Sequence, residues 1–159
     1  MINKEKFQIK LAGESDVKSI INIVSRSFVQ YCKAIGINTI EALEESEQNV
    51  LDDIAHKYVY LAYWEDKPVG SIRIEIKERK ATISRFAILP EYQALGIGSE
   101  ILAFAEKSLD PLKIESVELY SAVDNIRLKD FYIHKGYSII SIDDSKGYRK
   151  GLFQKKIQK

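Results

Sequence analysis

A chain of 159 residues has the usual length of one domain, so we expect a single domain over residues 1–159. Its 24 Lys and Arg residues nearly balance 23 Asp and Glu residues, and a net charge of +1 gives no field that would favour nucleic acid as a partner. No apolar run approaches the roughly 20 residues that span a bilayer, and the N-terminus lacks the apolar stretch of a signal peptide. One cysteine and two histidines allow neither an internal disulfide nor a structural metal site. We therefore expect a cytoplasmic protein with no metal and no membrane partner.

The N-terminal third of the sequence predicts one strand followed by two helices. Apolar and polar residues alternate over Phe7–Leu11, which is the pattern of a half-buried strand. Ser15 or Asp16 can cap the helix that follows, and a more acidic second helix is predicted between Ile40 and His56. The apolar residues of the first helix have the i, i+3, i+4, i+7 spacing of one buried face: Val17, Ile20, Ile21, Val24 and Phe28.

The middle of the chain predicts three consecutive strands. Tyr58–Trp64 is rich in β-forming residues, and Glu65–Pro68 has the composition of a turn. Isoleucines then alternate with charged residues from Ile72 to Lys77, which predicts a strand with one face in solvent. A charged turn at residues 78–80 leads to a third strand over Ala81–Ile88.

The same two periodicities predict the remaining elements: a helix over Ser99–Leu109, a strand over Ser116–Val123, a helix over Ile126–His134, a strand over Tyr137–Ile142 and a last strand over Tyr148–Phe153. We interpret the basic tail, Arg149 to Lys159, as a solvated edge strand whose charges discourage edge-to-edge pairing. The order β-α-α-β-β-β-α-β-α-β-β predicts an α+β fold with a mostly antiparallel sheet covered by helices.

The turn between the third strand of the middle region and the next helix has the features of a phosphate-binding loop. Pro90 ends the strand because it has no N–H to donate. Gly96 and Gly98 allow a tight turn and a close approach of the backbone to a ligand. A helix begins directly after them, so unpaired N–H groups and the positive end of the helix dipole face the loop.

Two common phosphate-binding motifs are excluded by single residues of this loop. No Lys follows Gly98, as a Walker loop requires. Ile101 stands where the dinucleotide-binding fingerprint has its third glycine. What remains is Gln93-x-x-Gly96-x-Gly98, and on this pattern alone a ligand-binding loop and a simple strand-to-helix turn are equally good interpretations.

A second motif, C-terminal to the loop, favours the interpretation as a ligand-binding loop. The first pattern resembles the [RQ]-x-x-G-x-[GA] pyrophosphate loop of the GNAT acetyltransferases. In that family an Asn after the next strand is followed by an aromatic pair and then by Gly and an aromatic residue. Here Asn125 is followed by Phe131-Tyr132 and Gly136-Tyr137. The resemblance covers residues 81–142 strongly and 7–28 loosely, and it says little about residues 32–56.

The resemblance implies a GNAT-like sheet of about seven strands with about four helices, and an N-acetyltransferase that uses acetyl-coenzyme A as cosubstrate and a primary amine as acceptor. The backbone of Leu95–Ser99 would hold the pyrophosphate, and Phe86–Ile88 would pair with the pantetheine arm. An Ile88 N–H left free at a bulge would stabilise the oxyanion, although Ile88 is equally well interpreted as sheet core. The predicted coenzyme-binding residues are Phe86, Ala87, Ile88, Gln93, Leu95, Gly96, Ile97, Gly98, Ser99 and Asn125.

Tyr132 is the predicted catalytic residue, the general acid. A thiol has a pKa of about 8.5 and a phenol of about 10 in model compounds, so a hydrogen-bonded phenol can donate a proton to the departing thiolate. Core packing beside Phe131 is the structural alternative. Asn125 is expected to cap the helix at Ile126 and to contact the cofactor as well.

No general base is evident in the sequence. Many GNAT enzymes carry a Glu on the strand before the loop, but residues 81–89 contain no carboxylate. A water molecule or Glu75 is left as a candidate, while His56 and His134 are interpreted as surface residues and Cys32 as buried filler. The alternative function is a non-catalytic, coenzyme A-binding regulatory module. The acceptor amine stays open, as does the choice between monomer and homodimer.

Overall fold

The computed structural model describes residues 5–157. Over this range the seven strands are β1 (Phe7–Leu11), β2 (Tyr58–Trp64), β3 (Lys67–Lys77), β4 (Lys80–Ile88), β5 (Ser116–Ala122), β6 (Ser138–Asp143) and β7 (Lys150–Lys156). The four α-helices are α1 (Val17–Ile35), α2 (Glu47–His56), α3 (Ile97–Lys107) and α4 (Ile126–His134). None of the helices in residues 5–157 is both long and apolar enough to cross a membrane.

All seven strands form one sheet in the order β1-β2-β3-β4-β5-β7-β6. Every neighbouring pair is antiparallel except β4 and β5, which are parallel. This architecture confirms the predicted α+β fold with a mostly antiparallel sheet. The parallel pair is joined through α3, which is the connection that two parallel strands need.

The predicted edge strand at the basic tail is wrong. β7 pairs with β5 on one side and with β6 on the other, so β6 is the edge of the sheet. Phe153 at the centre of β7 is fully buried, and Lys155 donates to the carboxylate of Glu106 at 2.7 Å. An apolar anchor and a paired lysine therefore hold β7 inside the sheet, while the last two residues of the tail, Gln158 and Lys159, lie outside the described residues.

Two predicted features of the β2–β3 hairpin are also wrong. Its turn is only Glu65 and Asp66, both with positive φ, and Pro68 already pairs with Tyr63 within the sheet. The polar face of β3 was predicted to lie in solvent, but Arg73 is completely buried. Ion pairs with carboxylates of the helical layer above β3 make this burial possible.

Helices cover both faces of the sheet. On β3, Arg73 contacts Glu45 and Asp53, which belong to the segment around α2. A Cβ on Gly70 would lie 2.8 Å from Ile101 Cδ1 in α3. Because residues three apart on a strand point to opposite faces, α2 and α3 lie on opposite sides of the sheet.

The first two helices follow from local sequence signals. Val17, Ile20 and Val24 on α1 are buried, as their spacing predicts. α2 begins after Ser46, whose Oγ accepts from Asn49 N while Asn49 Oδ1 accepts from Ser46 N. This reciprocal pair satisfies two N–H groups that a helix start leaves free, and it fixes the beginning of α2 several residues after Ile40.

Candidate active site

β4 and β5 pair along only half of their length. Lys80–Ile83 pairs with Ser116–Leu119, and beyond these residues the two strands separate. The gap opens into a cavity of about 610 Å³. Its wall is formed by α1, the second half of β4, the loop after β4, the end of β5 and the start of α4.

The loop after β4 presents a bare helix N-terminus to this cavity. Ala94 and Gly96 both have positive φ, +65° and +86°, which turns the chain sharply before α3 begins at Ile97. The first helical bond runs from Glu100 N to Gly96 O, and no side chain of the described residues caps the helix. The N–H groups of residues 97–99 therefore have no partner within the helix. They lie where an anion would be stabilised by the helix dipole.

Gly98 is required for close approach rather than for its backbone conformation. Its φ is not positive. A Cβ at this position would lie 3.2 Å from Ile88 Cδ1 and within 4 Å of the rings of Phe86 and Phe131. The first turn of α3 thus lies directly against the second half of β4, and a larger side chain would enter the cavity.

The backbone groups of Ile88 point into the gap between β4 and β5. The N–H of Leu89 donates to Val69 O at 2.9 Å, and successive residues of an antiparallel pair direct their backbone groups to opposite sides. The Ile88 carbonyl accepts from Gln93 Nε2 at 3.1 Å. Gln93 also accepts from Arg127 Nη2 at 3.3 Å, so in this structure the Gln93 side chain braces the loop between β4 and α4.

The β-bulge of β4 lies earlier than expected. Arg85 and Phe86 together face the single residue Ile72 on β3, and Arg85 has a φ of +48°. The N–H of Ile88 faces the cavity because β5 has separated from β4. The bulge does not cause this exposure. The bulge instead re-aims the side chain of Arg85, which lines the cavity.

Tyr132 lies at the boundary between core and cavity. It is only 6% exposed, and its ring packs on Phe131, Tyr137 and Phe153 at centroid distances of 5.3, 5.9 and 5.5 Å. Burial raises the pKa of its phenol well above the ordinary value. The group therefore stays protonated at neutral pH and can present an O–H to the cavity.

The other predicted coenzyme-binding residues occupy different environments. Asn125 caps α4, since its Oδ1 accepts from Leu128 N at 3.3 Å, and it also lines the cavity. Ala87 and Ile97 bury their side chains in the core, whereas Leu95 is exposed on the loop. None of these last three residues lines the cavity, so the structure does not bring their side chains together with the other predicted residues. Ser99 lines the cavity.

A sequence model of the acetyltransferase (GNAT) family matches residues 18–137, a range that contains the loop, the cavity walls and Tyr132. The chain belongs to the GNAT acetyltransferase family. No curated protein sequence matches it.

Solved GNAT structures share the fold over nearly the whole chain. The PaiA N-acetyltransferase from Thermoplasma acidophilum, solved with coenzyme A, is 23% identical with a TM-score of 0.82, covering 95% of this chain and 99% of that one. The ribosomal-protein-S18-alanine N-acetyltransferase from Escherichia coli is 16% identical with a TM-score of 0.78, covering 96% and 95%. A spermidine N-acetyltransferase chimera of Vibrio cholerae SpeG and hSSAT is 14% identical with a TM-score of 0.75, covering 95% of each chain. At these identities the likeness establishes the fold alone.

The GNAT cavity of this chain contains no obvious general base. None of the described residues that line it is Asp, Glu, His or Lys, and its charged residues are Arg85 and Arg127. Glu75 is half-buried on β3 away from the cavity wall. His56 and His134 are exposed and bond to helix carbonyls. Cys32 is buried, which raises the pKa of its thiol and makes it a poor nucleophile.

Helix α1 supplies a wall that the sequence did not predict. Phe28 and Tyr31 both line the cavity, and the hydroxyl of Tyr31 accepts from Ala122 N at the end of β5 at 2.7 Å. Nearer its start, α1 is tied to the loop after β4, because Arg26 makes two bonds to Glu91, of 2.7 and 3.0 Å. That pairing holds the pKa of Glu91 below its usual range.

Proposed function

We propose that this GNAT chain transfers the acetyl group of acetyl-coenzyme A to a primary amine by direct attack of the amine on the thioester. One observation carries the proposal: β4 leaves β5 beside an uncapped helix N-terminus, and the cavity between them also contains Tyr132. A phosphate-binding turn, a free backbone edge and a buried phenol therefore border the same space.

The residues of the loop suit the pyrophosphate of coenzyme A. The N–H groups of residues 97–99, which have no partner within the helix, and the helix dipole together favour a doubly charged anion. The tight contact of Gly98 with Ile88 leaves room that a side chain would fill. Arg127 is exposed beside the loop, where its guanidinium adds positive charge toward the phosphates. The coenzyme A bound to the PaiA structure is consistent with this assignment.

The second half of β4 suits the pantetheine arm. Within residues 5–157, no strand pairs with β4 on its β5 side beyond Ile83, so the backbone groups on that side need hydrogen bonds from elsewhere. Pantetheine carries amide groups that can pair with such an edge, as an added strand does. Phe86 and Phe131 provide apolar surface for the carbons of the arm.

The transfer forms a C–N bond and breaks a C–S bond, and one proton moves from the amine nitrogen to the sulfur. We assign the Ile88 N–H to the negative charge that develops on the carbonyl oxygen. We assign the Tyr132 O–H to the departing sulfur. Because its pKa is raised, Tyr132 acts mainly by donating a hydrogen bond, and water carries the net proton from the amine.

An acceptor panel with detection of free thiol tests the function. Amino acids, their amides, polyamines and amino sugars are each incubated with acetyl-coenzyme A and the chain, and thiol release is compared with an amine-free control. We expect release that depends on the amine, together with a product that is heavier by one acetyl group. Binding of the cofactor without release for any amine would support the regulatory module instead.

A further inference from the structure

The cavity has an unusual charge distribution for an enzyme that handles amines. Cationic amines are ordinarily bound by carboxylates, yet none of the described residues lining the cavity is acidic. Of the two lining arginines, Arg127 is bound to Gln93 at the coenzyme loop. Arg85 lies on β4 before Phe86 and Ile88, away from that loop, and it is the cation that an acceptor would meet.

Arg85 has a strained backbone conformation and a side chain that is held by an ion pair. Its φ of +48° is unfavourable for a residue with a side chain, and such strain persists where the surrounding structure enforces it. The Nε of Arg85 donates to Glu45 Oε2 at 3.3 Å. No hydrogen bond to its two Nη groups forms within residues 5–157. The guanidinium group of Arg85 is thus held through its Nε, and its Nη groups are left as donors for a ligand.

The carboxylate that holds Arg85 is already engaged by another arginine. Glu45 makes two bonds to the buried Arg73, of 2.5 and 2.9 Å, and Asp53 bonds both Arg73 and Lys57. The cluster therefore contains three cations and two carboxylates. The cluster therefore has one positive charge in excess. Arg85 is the member that lines the cavity, and its side chain is 23% exposed.

We propose that Arg85 binds the carboxylate of the acceptor, and that the acceptor is an amine of the amino-acid class. This inference rests on the proposed function and names its substrate. The Nη groups of Arg85 match a carboxylate, which accepts two parallel hydrogen bonds from a guanidinium. A purely cationic acceptor such as a polyamine would meet two arginines and no carboxylate.

The same charge favours the reactive form of the amine. An adjacent carboxylate on the enzyme would stabilise an ammonium group and raise its pKa, whereas a nearby cation lowers that pKa. A cavity with Arg85 and no acidic residue thus assists loss of the ammonium proton to water. This activates the nucleophile in a site whose described lining residues include no carboxylate and no histidine.

Paired acceptors test the proposal on the wild-type chain. Several amino acids are compared with their carboxamides and with spermidine, by kcat/KM from thiol release. We expect each acid to exceed its amide by at least about 10-fold, since a hydrogen-bonded charge pair is worth that much or more. The amide has the less basic amine and is more deprotonated at neutral pH, so ionisation cannot produce this preference.

Arg85→Gln sharpens the test, with Arg79→Gln as the matched control. Arg79 is exposed in the β3–β4 turn and pairs with Glu115 at 3.0 Å, outside the cavity. Arg85→Gln should raise the KM of the acids by about 10–100-fold and leave the KM of the amides and the affinity for coenzyme A nearly unchanged. Arg79→Gln should change none of these quantities.

Equal or better use of amides or spermidine by the wild type would overturn the proposal, even if Arg85→Gln fails to fold. An unchanged KM for the acids in folded Arg85→Gln would also overturn it. These outcomes leave the proposed acetyl transfer intact. Failure of that function has a different signature, namely no thiol release with any amine, and it would remove this inference as well.

Discussion

The two halves of the β4–β5 pair differ in what their backbones do. In the first half, Lys80–Ile83 pairs in register with Ser116–Leu119, and Ala81 and Val117 are completely buried. In the second half the strands separate and a cavity of about 610 Å³ opens between them. The same strand thus lies in the core at its start and borders an open cavity at its end.

The comparison shows how a sheet can provide polar backbone groups without losing its core. Unpaired N–H and C=O groups in a dry interior are costly. On β4, the backbone groups that face away from β3 beyond Ile83 border the open cavity. The bulge at Arg85 and Phe86 marks the change, because it increases the twist of β4 just as the strand leaves β5. We therefore expect substitutions in the two halves to affect different properties.

Tyr132→Phe should give the largest effect in the open half. The ring and its contacts with Tyr137 and Phe153 are kept, but the O–H is lost. With an accepted amine, turnover should fall by about 10²–10³-fold, the loss expected when one hydrogen bond to a developing charge is removed, and coenzyme A affinity should change little. The measurement is steady-state kinetics beside a calorimetric titration of the cofactor.

Tyr137→Phe is the matched control for this prediction. Tyr137 is also buried, does not line the cavity, and donates to Glu106 Oε2 at 2.8 Å. Loss of this hydrogen bond in Tyr137→Phe should lower the free energy of unfolding by about 1–3 kcal/mol and leave turnover nearly unchanged. Equal turnover of Tyr132→Phe and wild type would remove Tyr132 from the mechanism.

Gly98→Val should have an intermediate effect, on cofactor binding. Its side chain would press on Ile88 and occupy space between β4 and α4. We expect coenzyme A affinity to fall by about 10–100-fold, a free-energy loss of roughly 1.4–2.8 kcal/mol, in a chain that still folds. Gly13→Val is the control, because a Cβ on Gly13 meets nothing within 4 Å. An unchanged affinity in folded Gly98→Val would mean that the loop is only a turn.

Val117→Ala should have the smallest effect on the cofactor. Val117 lies opposite Ala81 in the closed half and is fully buried. Removing two methyl groups should lower the free energy of unfolding by about 2 kcal/mol, measured by urea denaturation. Coenzyme A affinity should stay within about twofold. A larger loss of affinity would show that the two halves are coupled.

Much of the fold could be predicted because periodicity and turn chemistry are local. The spacing from Val17 to Val24 gave α1, and the glycines at positions 96 and 98 marked the turn into α3. Pairing partners are not local. The basic residues of β7 are typical of an edge strand, but the insertion of β7 between β5 and β6 depends on how the whole sheet assembles.

The parts of the site that belong to a sequence motif could be predicted. The parts that form only when distant segments pack together could not. Tyr132 and the loop come from motif positions, whereas Arg85 enters the cavity through a positive φ that no sequence pattern signals at an arginine. Tyr31 was missed because the apolar spacing of α1 weakens after Phe28, although the helix continues to Ile35. Arg73 was predicted to be exposed because its burial depends on an ion pair with Glu45. Glu45 is distant in sequence, so no local pattern indicates this pairing.

Thermal melting of the wild-type chain with and without coenzyme A tests the central claim most directly. The claim is that the open half of β4 and the bare N-terminus of α3 bind this cofactor. At 100 times its dissociation constant, a ligand adds about 2.7 kcal/mol to stability, which raises the melting temperature by several degrees for a domain of this size. We predict such a rise, and we predict that Gly98→Val reduces it. No shift at millimolar coenzyme A in the folded wild type would contradict the account.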